Sequence, residues 1–266
     1  MERILDAHCH IYPGKIAEKA TRNVGEFYRL EMHMDGTAEG LIAAGEQYGI
    51  TDFLVHSVST TPHQVSAINH FIAAQVQAYP GRLIGFGTLH PDSGTLEEDV
   101  SHLLSLGLQG VKLHPDFQKF AIDSDRSVAM CRLFEGKLPL LVHAGDPRYE
   151  FSNPENLLRF MEKLPGLVVI AAHFGGWNNW KRALELLPGT PNLYVDCSSS
   201  LYAMTGAEAS AAIEAFGADR VLFGSDYPMW NPGEELARLR SLGLSHREER
   251  RILWENAMTV LGRNCD

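Results

Sequence analysis

The chain has 266 residues, with 23 Lys+Arg against 33 Asp+Glu, and a formal charge of −10. At 45% hydrophobic and 21% charged it has the composition of a folded globular protein, which excludes a disordered chain. The acidic balance argues against nucleic acid or an anionic membrane surface as a partner, because both require clustered positive charge.

Short apolar runs recur along the chain at 4–8, 52–58, 83–88, 110–114, 138–143, 168–173, 193–197 and 221–224. After the first gap their starts lie roughly 25–30 residues apart, the length of a strand, a helix and two loops. The runs are nearly continuous in Val, Ile, Leu, Phe and Gly, as expected of parallel strands buried on both faces. Between and after them, 38–48, 62–79, 96–106, 125–135, 153–164, 177–187, 207–216, 233–242 and 245–261 carry apolar residues at helical spacing. Asn153-Pro154-Glu155 reads as a cap before a proline at the first helical position, and Ser245 with Glu248 as a capping box.

Eight strand–helix units in one chain predict the α/β class and a single-domain (β/α)8 TIM barrel spanning 1–266. The rival doubly wound sheet lacks its Gly-rich phosphate turn after the first strand. Residues 11–34 form a long first βα loop containing Tyr12, Phe27, Tyr28 and His33, either a lid over the site or a surface ornament. Four cysteines, Cys9, Cys131, Cys197 and Cys265, lack CxxC spacing and suit a reduced, cytoplasmic setting. Met1-Glu2-Arg3 runs straight into the first strand without an apolar signal region, and no long apolar run spans a membrane.

Barrel sites lie at the C-terminal ends of the strands. Five strands deliver His, Lys or Asp there: His8 and His10, Lys112 and His114, His143, His173, and Asp226 after the eighth run. His8 and His10 are two apart on a strand, so they share a face with Cα atoms about 6.5 Å apart and can converge on one ion. Cys9 between them points towards the helix layer. His143 adds a third nitrogen, and Asp226 a carboxylate from across the closing seam. Histidines with a carboxylate suit one divalent metal, Zn2+ first, with Mn2+ also fitting. A catalytic metal keeps a position for water. His173 is therefore read as polarising that water or the substrate, and Asp226 as the group that takes its proton.

Three further residues are candidate substrate binders. Lys112 either neutralises a lumenal acid, binds a substrate carboxylate, or, if carbamylated, bridges two metals. His114 faces the pocket, and Arg148 either grips a carboxylate bidentately or forms a surface salt bridge. Trp177, Trp230 and Tyr202 are candidates for an aromatic wall. His56 and His90 end two further strands, while His63, His70, His102 and His246 fall in helical stretches and are read as solvated.

The set resembles the amidohydrolase superfamily, in particular the amidohydrolase-related family that includes aminocarboxymuconate-semialdehyde decarboxylase. The resemblance runs through Asp6-Ala7-His8-Cys9-His10, Gly110-Val111-Lys112-Leu113-His114-Pro115, Val142-His143-Ala144-Gly145, Ala172-His173-Phe174-Gly175-Gly176 and Phe223-Gly224-Ser225-Asp226-Tyr227-Pro228. It implies a metal held by His8, His10, His143 and Asp226, with His173 as the catalytic histidine. Members of that family hydrolyse amides, esters or lactones, remove CO2 from unsaturated or aromatic acids, or hydrate double bonds. The expectation is a metal-dependent hydrolase of a small, carboxylate-bearing molecule. The alternatives are a non-oxidative decarboxylase and an inactive metabolite-binding barrel. A homodimer is compatible with the sequence.

Overall fold

The computed structural model describes residues 3–264. Along the chain run β1 (Leu5–His10), α1 (Gly14–Tyr28), α2 (Ala38–Glu46), β2 (Asp52–His56), α3 (Val65–Ala78), β3 (Leu83–Gly85), β4 (Gly87–Thr88), α4 (Leu96–Ser105) and β5 (Val111–Leu113). There follow α5 (Pro115–Gln118), α6 (Asp125–Arg132), β6 (Leu140–Val142), α7 (Pro154–Lys163), β7 (Val169–Ala171), α8 (Trp180–Leu186), β8 (Leu193–Asp196), α9 (Gly206–Phe216), β9 (Val221–Leu222) and α10 (Pro232–Arg240). The last segment is helical as α11 (His246–Arg250), a π-turn at Arg251–Glu255, and α12 (Asn256–Val260).

All strand pairs are parallel, in the orders β1-β2-β3 and β4 through β9. β3 and β4 occupy one strand position, split at Phe86, whose N–H still donates to Val55 O at 3.0 Å. The ring closes between β1 and the segment after β9. Ala7 N–H donates to Phe223 O, Asp226 N–H to His8 O and His10 N–H to Tyr227 O, at 2.8, 2.9 and 2.7 Å. That is the predicted eight-position (β/α)8 barrel.

Two apolar layers hold it. Leu5, Ala7, Leu54, Ile84, Phe86, Leu141, Ile170 and Leu222 fill the lumen below the site. Ile4, Cys9, Val55, Val111, Val142, Val169 and Val221 face outward against the helices. β1 changes phase part-way. Leu5 and Ala7 point inward, yet so do His8 and His10, because the register with β2 shifts between Asp6 and Cys9. An irregularity of this kind re-aims side chains at a sheet rim. Cys9 lies in the outer layer, as expected. Cys9, Cys131 and Cys197 are buried free thiols, and Cys265 lies outside the described residues.

Several boundaries differ from the sequence reading. Residues 11–34 are mostly helix α1, whose buried face carries Ala17, Thr21 and Gly25. The helix expected from 177 begins at Trp180, because Asn178 is left-handed at φ 54°. Asn153 precedes Pro154 as expected but makes no side-chain cap, and its buried Oδ1 has no partner. The Ser245–Glu248 capping box is present. No helix among the described residues is long and apolar enough to cross a membrane.

Candidate metal centre

The strand ends converge as the topology requires. His8 and His10 close β1, and the loop after β9 brings Asp226 back beside them. His8 Nε2 lies 3.3 Å from His10 Nε2, and Asp226 Oδ1 lies 3.4 and 3.5 Å from these two nitrogens. His56, the last residue of β2, packs its ring edge-on to His10 at 4.4 Å between centroids. Both its ring nitrogens are buried without a partner, and one comes within 4.8 Å of the His8 and His10 nitrogens.

Backbone and carboxylate acceptors set the tautomers. His8 Nδ1–H donates to Asp196 Oδ2 at 2.8 Å, so Nε2 is an acceptor turned towards His10 and Asp226, and Lys112 Nζ also reaches it at 3.1 Å. His173 Nδ1–H donates to Ser198 O at 2.9 Å, and His143 Nε2–H to Gly145 O at 2.8 Å. Those bonds leave His143 Nδ1 and His173 Nε2 bare, facing each other at 3.0 Å. Two facing lone pairs in a buried site repel unless something positive lies between or beside them. Burial pushes the His8, His10 and His143 pKa values well below the usual imidazole range and His173 down to about 4, so protons do not fill the gap at neutral pH. Ligand atoms of His8, His10 and Asp226 therefore lie close enough to share a divalent cation, with Asp196 orienting His8 from behind, while His143 Nδ1 lies against His173 on the next strand.

The backbone is strained at this rim. His173, Ser199 and Asp226 have φ of 61°, 44° and 62°. Left-handed non-glycine residues cost about 1–3 kcal/mol each and persist where surrounding contacts hold them. Ser199 Oγ–H bonds Asp226 Oδ2 at 2.5 Å and Trp230 Nε1–H bonds Ser199 Oγ at 2.9 Å. Burial raises the Asp226 carboxyl to about 6. Gly224 is needed beside β1, since a Cβ there would stand 2.9 Å from His8 Cβ.

Above the cluster is a narrow cavity of about 20 Å3, bounded by His10, Tyr28, His114, His143, His173 and Asp226 with Phe117 and Trp177. That is room for about one water. His114 stacks on His143 at 3.9 Å. Its Nδ1 accepts from Phe117 N–H, so Nε2–H donates to Tyr28 Oη at 2.7 Å. The Tyr28 proton is then left for a further acceptor.

Lys112 is fully buried under this floor, with Nζ 3.1 Å from His8 Nε2. Desolvation lowers it to about 8, opposed by the charges of Asp196 and Asp226. Arg148 does not reach the cavity. Its guanidinium pairs with buried Asp146 through Nε to Oδ1 (2.9 Å) and Nη2 to Oδ2 (2.7 Å), and Nη1–H donates to Phe27 O at 2.6 Å. It clamps α1 to the loop after β6 instead of standing free for a substrate carboxylate. Of the three candidate wall aromatics, only Trp177 lines the cavity; Tyr202 and Trp230 stack on one another at 4.4 Å. His90 Nδ1 accepts from Asp92 N–H at 3.2 Å in its own turn.

Sequence reasoning missed Asp196, Ser198 and Asp6. Asp196 was within reach of the rule applied to the other strands, since it ends β8, but the predicted run continued to Cys197. Asp6 Oδ1 accepts from His8 N–H and Ser225 N–H at 3.2 and 2.9 Å, tying the two sides of the barrel seam. Nothing in a linear reading separates it from an ordinary strand aspartate.

Comparison with known proteins agrees with the fold. The amidohydrolase profile matches residues 5–263, and the chain belongs to that family. No protein with a curated description matches. Among solved structures, an uncharacterized TIM-barrel protein from Bordetella bronchiseptica is 23% identical, with 98% of each chain covered and a TM-score of 0.81. A dihydroxybenzoic acid decarboxylase from a Polaromonas species, with manganese and the inhibitor 2-nitroresorcinol bound, is 17% identical. There 98% of this chain and 97% of that one are covered, at a TM-score of 0.74. A probable 2-pyrone-4,6-dicarboxylic acid hydrolase from Acinetobacter baumannii with bound citric acid is 19% identical, covering 98% of this chain and 100% of that one at 0.69. At these identities the likeness shows the fold. It spans decarboxylases and hydrolases alike, so the reaction has to be argued from the site.

Proposed function

We propose that the protein hydrolyses an amide, ester or lactone bond in a small molecule, using one divalent cation held by His8, His10, His143 and Asp226. The observation that supports this most is the convergence of three ligand atoms: His8 Nε2, His10 Nε2 and Asp226 Oδ1 lie within 3.3–3.5 Å of one another. When bound, such a cation supplies Lewis acidity, polarising a carbonyl and lowering the pKa of water. Zn2+ is the proposed ion, with Mn2+ suiting the same donors.

The remaining work falls to the chain. His173 is neutral at physiological pH, so its bare Nε2 accepts a hydrogen bond from water and orients it, while Ser198 O fixes the ring from the other side. Asp226 takes the proton that water gives up and passes it to the leaving group. Tyr28 Oη, already accepting from His114, donates its own proton to a substrate oxygen. Phe117, Trp177 and Met229 keep bulk water out of the cavity. Arg148, committed to Asp146 and Phe27, is not free to grip a substrate carboxylate. The buried thiols Cys9, Cys131 and Cys197 suit a reducing cytoplasm.

A second reading draws on the aromatic lining of Tyr28, Phe117 and Trp177: loss of CO2 from an unsaturated or aromatic acid stacked there. A panel of esters, lactones, amides and aromatic acids separates the two when ester and lactone cleavage is followed by proton release, amide cleavage by ammonia or amine release, and decarboxylation by CO2 release in parallel. Proton, ammonia or amine release without CO2 supports hydrolysis. CO2 release establishes the decarboxylase instead, and a metal-loaded protein active on no member of the panel favours a binding barrel.

A further inference from the structure

We infer that the groove between α1 and α3 receives an uncharged hydrocarbon part of the substrate, alkyl or aryl, while the reacting group enters the cavity beside His10. This deepens the proposed reading and rests on it, because it places the reacting carbon next to His10 and Asp226.

A cavity of about 20 Å3 above His10 and Asp226 holds a water or one small group, not a whole substrate. Whatever reacts there must extend into adjoining space. The adjoining space is a groove of about 530 Å3, within the range that holds small organic ligands. It adjoins the cavity, since His10, Tyr12, Val24 and Phe117 line both.

The chemistry of the walls selects the occupant. Ile16, Val24 and Phe27 of α1 face Val58, Ile68 and Phe71 across the groove. No Asp, Glu, Lys or Arg lines it. A charged substituent would lose its hydration there without gaining a partner. Its polar lining is partly spent within itself, Thr60 N–H donating to Gln64 Oε1 at 2.7 Å. Ile16, at 52% exposure, is the most exposed large apolar side chain among the described residues, and it stands on this wall. Burial of such surface is favourable for an apolar ligand and unfavourable for water.

Two ligand series test the inference on the protein as purified: straight-chain carboxylates from acetate to decanoate, which resemble products of acyl hydrolysis, and the matching n-alkanols. Binding is read by calorimetry in wild type, Ala67→Trp, which fills the groove from α3, and Ile16→Asp, which charges its exposed wall. Both positions are solvent-exposed, so either variant can fold without the other. Affinity should rise by about three- to fourfold per methylene in wild type and level off in both variants. Alkanols that follow this pattern while carboxylates do not bind would leave the groove standing and remove the acyl-hydrolysis reading. A flat series in wild type, or a rise that survives both variants, overturns the groove. So does a wild-type dimer in sedimentation that Ala67→Trp dissociates, which would make this face an interface between copies of the chain.

Discussion

Asp6 Oδ1 accepts the backbone N–H of His8 at 3.2 Å, and at that point β1 changes which face it presents to the lumen. Leu5 and Ala7 below it pack in the lumen, and His8 and His10 above it also point inward. Without the shift, plain alternation from Leu5 and Ala7 would send Cys9 inward and both histidines into the helix layer.

Asp6→Ala should therefore weaken metal binding although Asp6 touches no bare acceptor of the cluster. Loss of a supporting contact of this kind lowers affinity by about 10–100-fold. Asp6→Asn keeps an acceptor oxygen and should restore most of it. Competition with a chelating dye measures the affinities, and equal loss in both variants would assign the effect to the carboxylate charge instead.

His173→Asn should abolish turnover while most of the metal stays bound, since His173 is read as orienting water. Parallel metal analysis and rate measurement check this. A variant that loses its metal would make His173 a ligand, partner to His143 across their 3.0 Å gap.

Arg148→Ala should destabilise the fold by about 2–3 kcal/mol, because it removes the charge partner of the fully buried Asp146 carboxylate and leaves it only the backbone N–H of residue 148. Asp146→Asn combined with Arg148→Ala should recover part of that loss. Urea unfolding of the two single variants and the double variant gives the coupling. An unchanged unfolding midpoint with a raised KM would return Arg148 to the substrate.

Glu235 supplies a pH dependence from outside the cavity lining, although the charges of Asp6 and Asp226 reach it. Its side chain is fully buried, and burial raises its carboxyl from 4.5 to about 7 despite Arg238 alongside. The folded state thus holds the proton that the unfolded state releases. Stability from this group is complete below pH 4.5 and is lost as pH rises to about 7, by roughly 3 kcal/mol in all. Glu235→Gln should flatten the fall in stability between pH 5 and 8 relative to wild type. Parallel slopes in the two proteins would contradict the assignment.

The barrel and the main cluster were legible because parallel strands are buried on both faces, so each run was nearly continuous in apolar residues and its last polar residue stood out. His8, His10, His143, His173 and Asp226 were found by that rule. Arg148 was not, since a loop arginine carries no signal of whether a buried acid two residues earlier has claimed it. Helix α1 was missed for a related reason. Its stripe of Ala17, Thr21 and Gly25 is small and weakly apolar, and the larger Val24, Phe27 and Tyr28 face the cavity and groove. Asp196 and Asp6 act through bonds that join strands far apart in sequence, which no local pattern reports.

The proposed chemistry requires a cation at His8, His10, His143 and Asp226. Elemental analysis of protein purified without added metal, beside the His8→Ala/His10→Ala double variant, tests it most directly. It predicts about one equivalent of zinc or manganese in wild type and almost none in the double variant. Two equivalents in wild type would bring a carbamylated Lys112 into the ligand set. No metal in either protein, even after incubation with Zn2+ and Mn2+, would contradict the account and leave a barrel whose histidines line a binding pocket.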